Sequence, residues 1–260
     1  MSAERYHRTV VYLLLALLAL PVLGTLIYSI SERWDATVLP HGLTLHWYAS
    51  LWLDDRFLKA FWHSLVVCFG TLVLSTIVIV PAVFVIHYDF PHLDKWMNIL
   101  ILLPFAVPPV VSAVGLLSLY ADGSVSLVGT PWILLGCYFT IALPFMYRML
   151  SDSLRAIDVR ELMDAAHLLG ASAPRAFLAV ILPSMRKGLL ASLFISFSFL
   201  LGEFVFANML VGTRYETLQV YLYNMRNSSG HFTSALVMSY FAVTFALTWL
   251  AVRFGNRGTS

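Results

Sequence analysis

Long apolar runs alternate with shorter polar segments along this chain, and the runs have the length of membrane-crossing helices. A helix needs about 20 consecutive apolar residues to cross a bilayer, and the pattern predicts six such spans. Their approximate ranges are 10–30, 62–86, 97–120, 127–148, 189–212 and 232–252. We therefore expect an all-α polytopic membrane protein in which residues 1–260 form a single transmembrane domain.

Composition agrees with a chain whose surface faces lipid. Hydrophobic residues make up 60% of the 260 residues and charged residues only 12%, against about 25% charged in a typical soluble domain. The net charge is +2, and without a basic tract we expect no nucleic-acid partner. Cys68 and Cys137 lie inside apolar spans, where free cysteine acts as a small hydrophobe, so we expect no metal site.

The distribution of basic residues predicts the orientation of the chain. Six spans place both termini on one side, and cytoplasmic segments of membrane proteins are enriched in Lys and Arg. With cytoplasmic termini, eleven of the sixteen Lys and Arg residues fall inside and five fall outside. The first apolar run is longer than a signal-peptide core and is followed by no A-x-A site, so we expect it to remain as the first span. Residues 149–187 are then a cytoplasmic insertion.

Span three contains a cluster of prolines. Pro104, Pro108 and Pro109 fall within six residues, and proline removes a helical hydrogen bond and clashes with the preceding turn. Irregular backbone at membrane depth is tolerated only against protein or a water-filled cavity. We therefore expect a kink or an opening here. Pro108 is a candidate for the wall of a substrate path, and a packed kink without substrate contact is the alternative.

Span five contains an acidic residue in an apolar setting. Glu203 lies well inside this span, and ionisable groups within the membrane are rare and generally face a partner or a water-filled cavity. Glu203 is a candidate for lining a substrate path, with Asn208 on roughly the same side and one turn further on. The alternative is a structural carboxyl that is paired with another helix or protonated.

The polar segment between spans four and five has the signals of two short helices. Asp158 can cap a helix over 159–169 by accepting hydrogen bonds from its first amides. Gly170 suits the left-handed position that follows a helix end. Ser172 and Pro174 can begin a second helix, which runs towards Leu182–Pro183. The apolar residues of the first helix, at spacings of three and four, are expected on one face: Leu162, Ala165, Ala166 and Leu169.

The spacing in this segment resembles the EAA loop of permease subunits of binding-protein-dependent ABC importers. The family pattern is Glu-Ala-Ala, three residues, Gly, nine residues, and then Ile-x-Leu-Pro. This chain has Asp164-Ala165-Ala166, Gly170 and Val180-Ile181-Leu182-Pro183 at the same spacing, with Asp in place of Glu and Val in place of Ile. The six-span topology and Glu203 extend the resemblance over nearly the whole chain.

The resemblance implies a type I ABC importer fold in a bacterial inner (plasma) membrane, with the hairpin docked on a separate ATPase. The implied coupling positions are Asp164, Ala165, Ala166, Gly170, Leu182 and Pro183. Because the chain has no G-x-x-x-x-G-K-[ST] phosphate loop, we expect it to be no enzyme and to hold no cofactor, with ATP and Mg²⁺ on an ATP-binding subunit dimer. The other implied partners are a second permease subunit, homologous rather than a second copy, and a periplasmic or surface substrate-binding protein.

The sequence leaves the substrate open between two classes. The segments 43–48 and Asp158-Val159-Arg160 are similar to polyamine-type permeases, which have relatives for phosphonates such as 2-aminoethylphosphonate. Gly202-Glu203-Phe204 is instead similar to molybdate- and sulfate-type permeases. A glutamate in the path favours a cationic amine over an oxyanion. A gradient-driven secondary transporter is the alternative from another class. It predicts inverted repeats, and we see no repeat.

Overall fold

The computed structural model describes residues 3–35, 37, 39–121 and 126–256, and it is predominantly helical. Four helices are long and apolar enough to cross a membrane within the described residues. They are α1 (Ala3–Ser29), α3 (Asp55–Tyr88), α7 (Pro131–Arg155) and α13 (Gly230–Asn256). Two bent helix pairs bring the number to as many as six if each pair is counted as one span. The predicted class of helical membrane protein is confirmed.

The predicted opening of span three is confirmed as a sharp bend. A 3₁₀ turn (Pro91–Leu93) leads into α4 (Asp94–Leu100) and α5 (Leu103–Ala106), and α6 (Pro109–Tyr120) follows. The two halves, Pro91–Ala106 and Pro109–Tyr120, meet at 85°. Val107 and Pro108 are extended at this point, with ψ of 128° and 135°. A residue before proline avoids the helical region, so the Pro108–Pro109 pair accounts for the break.

Span five is interrupted rather than continuous over 189–212. After the insertion between spans four and five, α11 (Arg186–Leu201) runs to Gly202, and helical structure resumes before the π-helix Ala207–Val211. Gly212, with φ of +50°, ends this second half. A further helix that the sequence did not predict, α12 (Leu218–Asn224), and a 3₁₀ turn (Met225–Asn227) precede α13.

The chain divides into two compact units, of which the first contains Met1–Lys59 and Tyr221–Ala246. A small antiparallel ribbon of β1 (Ser31–Arg33) and β2 (His41–Leu43) leads here into α2 (His46–Trp52). The ribbon is a local exception to the all-α prediction. The Trp47 indole donates to the Ser31 carbonyl oxygen at 3.0 Å. The His231 ring stacks on Tyr28 at 4.1 Å and on Trp47 at 5.6 Å.

The second unit contains Ala60–Val220 and Leu247–Ser260, and its central contact is between α7 and α11. Phe145 of α7 stacks on Phe199 of α11 at 4.4 Å. Gly188 lets the two helices approach closely, because a Cβ at this position would overlap Ser153 Oγ and lie 2.8 Å from Ser153 Cβ. The insertion between spans four and five is attached at one end of this helix pair, and both helices contribute to the wall of a cavity further along.

Candidate functional site

The insertion between α7 and α11 folds into a helical hairpin, which we call the 158–184 hairpin. Its first helix, α8, spans Val159–Leu168. Asp158 precedes it, and its Oδ1 accepts a hydrogen bond from the Glu161 backbone N–H at 3.1 Å. The predicted cap is therefore confirmed. Such a cap satisfies one of the amides that a helix start leaves without a partner.

Gly170 makes the turn of the hairpin in the conformation that the sequence predicted, with φ of +82°. Its N–H donates to the His167 carbonyl oxygen at 2.9 Å, and the Ala171 N–H donates to the Ala166 carbonyl oxygen at 3.0 Å. These two bonds form a Schellman motif, which closes the helix end and favours glycine at the left-handed position. Apart from its two chain neighbours, no atom of the residues that the structure describes lies within 4 Å of where a Cβ on Gly170 would be.

The second arm of the hairpin is less regular than the sequence predicts. It consists of α9 (Ala173–Ala176), the π-helix Phe177–Ile181 and α10 (Leu182–Ser184). Pro174 lies in the first turn as expected, but the Ser172 side chain makes no capping hydrogen bond. Pro183 has no N–H to donate to the carbonyl of the preceding turn. The Leu182 N–H bonds to Phe177 in the wider π pattern, which accommodates this loss.

The four residues that the sequence placed on one face of α8 are, apart from Ala166, not the ones that the chain buries. Val159, Met163 and Ala166 are buried, whereas Ala165 and Leu169 are exposed and Leu162 is half-buried. The face of Val159, Met163 and Ala166 also follows spacings of four and three, so periodicity permits either face. Contacts of α8 with α9 and with the adjacent π-helix decide between them, and these depend on the irregular second arm.

The tip of the hairpin exposes apolar side chains beside the glycine turn. Leu168 and Leu169 are each 89% exposed. The six predicted coupling positions all lie on the hairpin: Asp164, Ala165, Gly170 and Pro183 are exposed, Leu182 is half-buried and Ala166 is buried. Exposed apolar groups grouped at a tip are typical of a surface that binds another protein. The second arm packs on α3 through Phe177 and Phe84, whose ring centroids are 4.6 Å apart.

The two broken spans border one cavity of about 920 Å³. Val107 and Pro109, which flank Pro108, line one side, and Gly202 and Glu203 line another. Much of the remaining wall comes from α7, between Trp132 and Ile141. The structure thus brings the Pro108 break and Glu203 to one place. Asn208 is not among the lining residues that the structure describes.

Glu203 caps the second half of span five. Its Oε1 accepts from the Phe206 N–H at 2.8 Å, and its Oε2 accepts from the Ala207 N–H at 3.1 Å. The buried Tyr138 hydroxyl lies close to the same carboxylate. The carboxylate therefore has structural partners and also lines the cavity, so the two sequence-based interpretations are compatible. Reasoning from the sequence missed the cap, although a polar residue three positions before Phe206 was a local signal for it.

A bundle of continuous and broken membrane helices, with a Gly-turn hairpin inserted before the fifth span, defines a membrane transport subunit. Residues 86–258 match the model of the family described as binding-protein-dependent transport system inner membrane component, and the chain belongs to this family. It is a permease subunit of a binding-protein-dependent ABC importer, and it is a multi-pass inner-membrane protein.

This chain aligns over most of its length with curated relatives. It is 26% identical over 239 residues to the putative 2-aminoethylphosphonate transport system permease protein PhnV of Salmonella typhi, covering 92% of this chain and 90% of that protein. It is 29% identical over 185 residues to the spermidine/putrescine transport system permease protein PotC of Escherichia coli K12, covering 71% and 69%.

Solved structures with low sequence identity share the fold. A bacterial ABC transporter involved in import of the acidic polysaccharide alginate matches with a TM-score of 0.72 at 16% identity, covering 96% of this chain and 97% of that chain. The MetNI methionine ABC transporter in an inward-facing conformation matches with a TM-score of 0.60 at 15% identity, covering 82% and 99%. The type I ABC importer fold is therefore confirmed.

Proposed function

We propose that this permease subunit imports a small solute carrying a primary amine, driven by ATP hydrolysis on a separate ATPase dimer that docks on the 158–184 hairpin. The exposed pair Leu168 and Leu169 beside the Gly170 turn is the observation that carries the coupling proposal. An apolar tip that stands out from its own chain is stabilised when a partner covers it. ATP and Mg²⁺ belong to that partner.

The proposed substrate class rests on the relatives and on the cavity. One relative is named for 2-aminoethylphosphonate and another for spermidine and putrescine, and all three compounds carry a primary amine that is protonated at neutral pH. Glu203 is the one charged residue among the lining residues that the structure describes. A carboxylate in a mostly apolar wall attracts an ammonium group more strongly than it would in water. We place Glu203 and the Pro108 break on the substrate path, and Asn208 stays a prediction.

The proposed assembly contains a second permease subunit and an external binding protein. One chain supplies one hairpin, whereas a dimer of ATPase subunits offers two docking sites, so a homologous permease partner completes the pair. A structural neighbour is an alginate transporter in complex with a periplasmic protein, which supports a periplasmic binding protein as partner. The excess of basic residues supports cytoplasmic termini and a cytoplasmic hairpin. We propose that the whole chain forms one transmembrane domain.

The test is uptake by the complete transporter in proteoliposomes. We expect ATP-dependent uptake of putrescine or 2-aminoethylphosphonate that sulfate and molybdate do not inhibit. Uptake of an oxyanion alone overturns the amine proposal, and uptake driven by an ion gradient without ATP overturns the coupling proposal.

Co-purification of the ATPase tests the hairpin tip. Replacing Leu168 and Leu169 with serine is expected to release the ATPase, because it removes apolar area from the proposed interface. Leu178→Ser is the matched control, since Leu178 is 61% exposed on the second arm and not at the turn. Equal ATPase yield from the tip variant and from wild type contradicts docking at this tip.

A further inference from the structure

A polar cluster joins the beginning of α4 to the end of α7. Asp94, the first residue of α4, accepts a hydrogen bond from the Tyr147 hydroxyl at 2.8 Å through Oδ1. Its Oδ2 accepts from Arg155 Nη2 at 2.5 Å, and Arg155 is the last residue of α7. Each carboxylate oxygen therefore has its own donor, which fixes the orientation of Asp94 relative to both partners.

Of the two helices that meet at this cluster, one leads to the cavity and the other leads to the hairpin. On the α4 side, the chain continues into α5, where Leu103 and Phe105 line the 920 Å³ cavity, and then into the Pro108 break. On the α7 side, Arg155 is followed three residues later by Asp158, which caps the first helix of the hairpin. The first half of α7 lines the same cavity. The cluster thus joins the helix that leads into the hairpin to the helix that leads towards the cavity wall.

We propose that Asp94, Tyr147 and Arg155 are positioning residues that transmit movement of the 158–184 hairpin through α4 to α5, which forms part of the cavity wall. This proposal rests on the proposed coupling to an ATPase. A displacement of the hairpin moves the end of α7, and the Arg155–Asp94 pair moves the beginning of α4 with it. The 85° break at Val107–Pro108 allows this half of span three to shift without displacing α6 by the same amount.

The surroundings of the cluster favour transmission over a contribution to stability. The side chains of Arg155 and Asp94 are 51% and 22% exposed, and ion pairs with this much exposure contribute little to stability. Nearby, His87 and Tyr88 at the end of α3 and residues 157–160 surround a cavity of about 240 Å³. The beginning of the hairpin and the end of α3 thus border a cavity, and the polar cluster supplies a directional contact nearby.

The experiment measures substrate transported per ATP hydrolysed by the complete reconstituted transporter. Asp94→Asn and Arg155→Gln are expected to assemble and hydrolyse ATP as wild type does, while the ratio falls about fivefold or more, a typical size for coupling between two sites. Tyr147→Phe removes one of the two Asp94 contacts and should give a smaller loss. The exchanged pair Asp94→Arg with Arg155→Asp should recover part of the ratio.

Asp152→Asn is the matched control. Asp152 is 75% exposed on the same helix, and its carboxylate is 3.9 Å from Arg155, so this variant should keep the wild-type ratio. A wild-type ratio in both Asp94→Asn and Arg155→Gln overturns the proposal. Loss of assembly in these variants also overturns it, because the cluster is then a folding contact. If wild-type protein itself binds no ATPase, the proposed function fails instead.

Discussion

The carboxylate of Glu203 caps a helix within the membrane and also lines the cavity. A charge near the centre of a bilayer costs at least about 2.5 kcal/mol in insertion measurements. Two backbone N–H groups donate to this carboxylate, and hydrogen bonds to a charged group stabilise by about 1.5–3 kcal/mol each. The cap therefore allows an acidic group to stand in an apolar wall without a basic side chain as its partner.

Replacing Glu203 with glutamine tests its charge. Glutamine keeps one acceptor oxygen and sets an NH₂ group against a backbone N–H, so the cap weakens by about 1 kcal/mol and the charge is lost. We expect uptake of an amine substrate to fall about tenfold, the result of losing roughly 1.4 kcal/mol of binding. Initial uptake rates at several substrate concentrations measure this change.

Tyr138→Phe is the control for the structural part of that effect. It removes the hydroxyl close to Glu203 but keeps the carboxylate, so it should lower the yield of the complex more than the affinity for the amine. Wild-type uptake by Glu203→Gln at normal yield removes Glu203 from the substrate path.

Substitutions of Gly170 test the turn of the hairpin through its backbone conformation alone. Because, apart from its two chain neighbours, no atom of the described residues lies within 4 Å of a Cβ placed there, a side chain has room, and only φ of +82° disfavours it. A β-branched residue in this left-handed region costs about 1–2 kcal/mol. We expect Gly170→Val to lower ATPase co-purification and uptake while membrane insertion persists. Gly170→Asn is the control, since asparagine tolerates this conformation, and equal uptake by all three proteins contradicts the assignment.

At the level of helices, the sequence predicted those breaks and helix ends that neighbouring residues determine. The prolines of span three predicted its break, and Asp158 and Gly170 predicted the two ends of α8. The buried face of α8 could not be chosen from periodicity, because contacts with the irregular second arm decide it. The two strands of the ribbon have three residues each, and α12 has seven. Their patterns were too weak to distinguish them from loops.

The close approach of α7 and α11 gives a prediction about packing. Gly188→Ala places a methyl group against Ser153, and the Met149 carbonyl oxygen 3.3 Å away is backbone that cannot rotate aside. Overpacking of this kind costs about 1–3 kcal/mol, so we expect a lower melting temperature in detergent. Gly115→Ala in α6 is the control, because nothing lies within 4 Å of its Cβ. A wild-type melting temperature for Gly188→Ala contradicts the close approach of these two helices.

For the whole molecule, the pattern of apolar spans predicted the fold class and the EAA-type spacing indicated the family, whereas the site needed the three-dimensional structure. Span three and span five are more than 90 residues apart at Pro108 and Glu203, and their breaks border one cavity. No local pattern predicts that meeting. Asn208 lies only five residues from Glu203, yet it is not among the described residues that line the cavity. The question of which subunit hydrolyses ATP also concerns the whole molecule and its partners.

We expect the purified chain alone to hydrolyse no ATP, and activity to appear when its P-loop subunit is added. The chain lacks the G-x-x-x-x-G-K-[ST] loop whose backbone amides hold phosphates, and the proposed function assigns ATP hydrolysis to a partner subunit. Phosphate release from the isolated chain, from the complex and from a complex with the P-loop lysine replaced measures this. The third sample detects a contaminating ATPase, because its activity would survive the substitution. Sustained hydrolysis by the isolated chain, at a rate that follows its own concentration through a second purification step, would show that the energy source lies in this subunit.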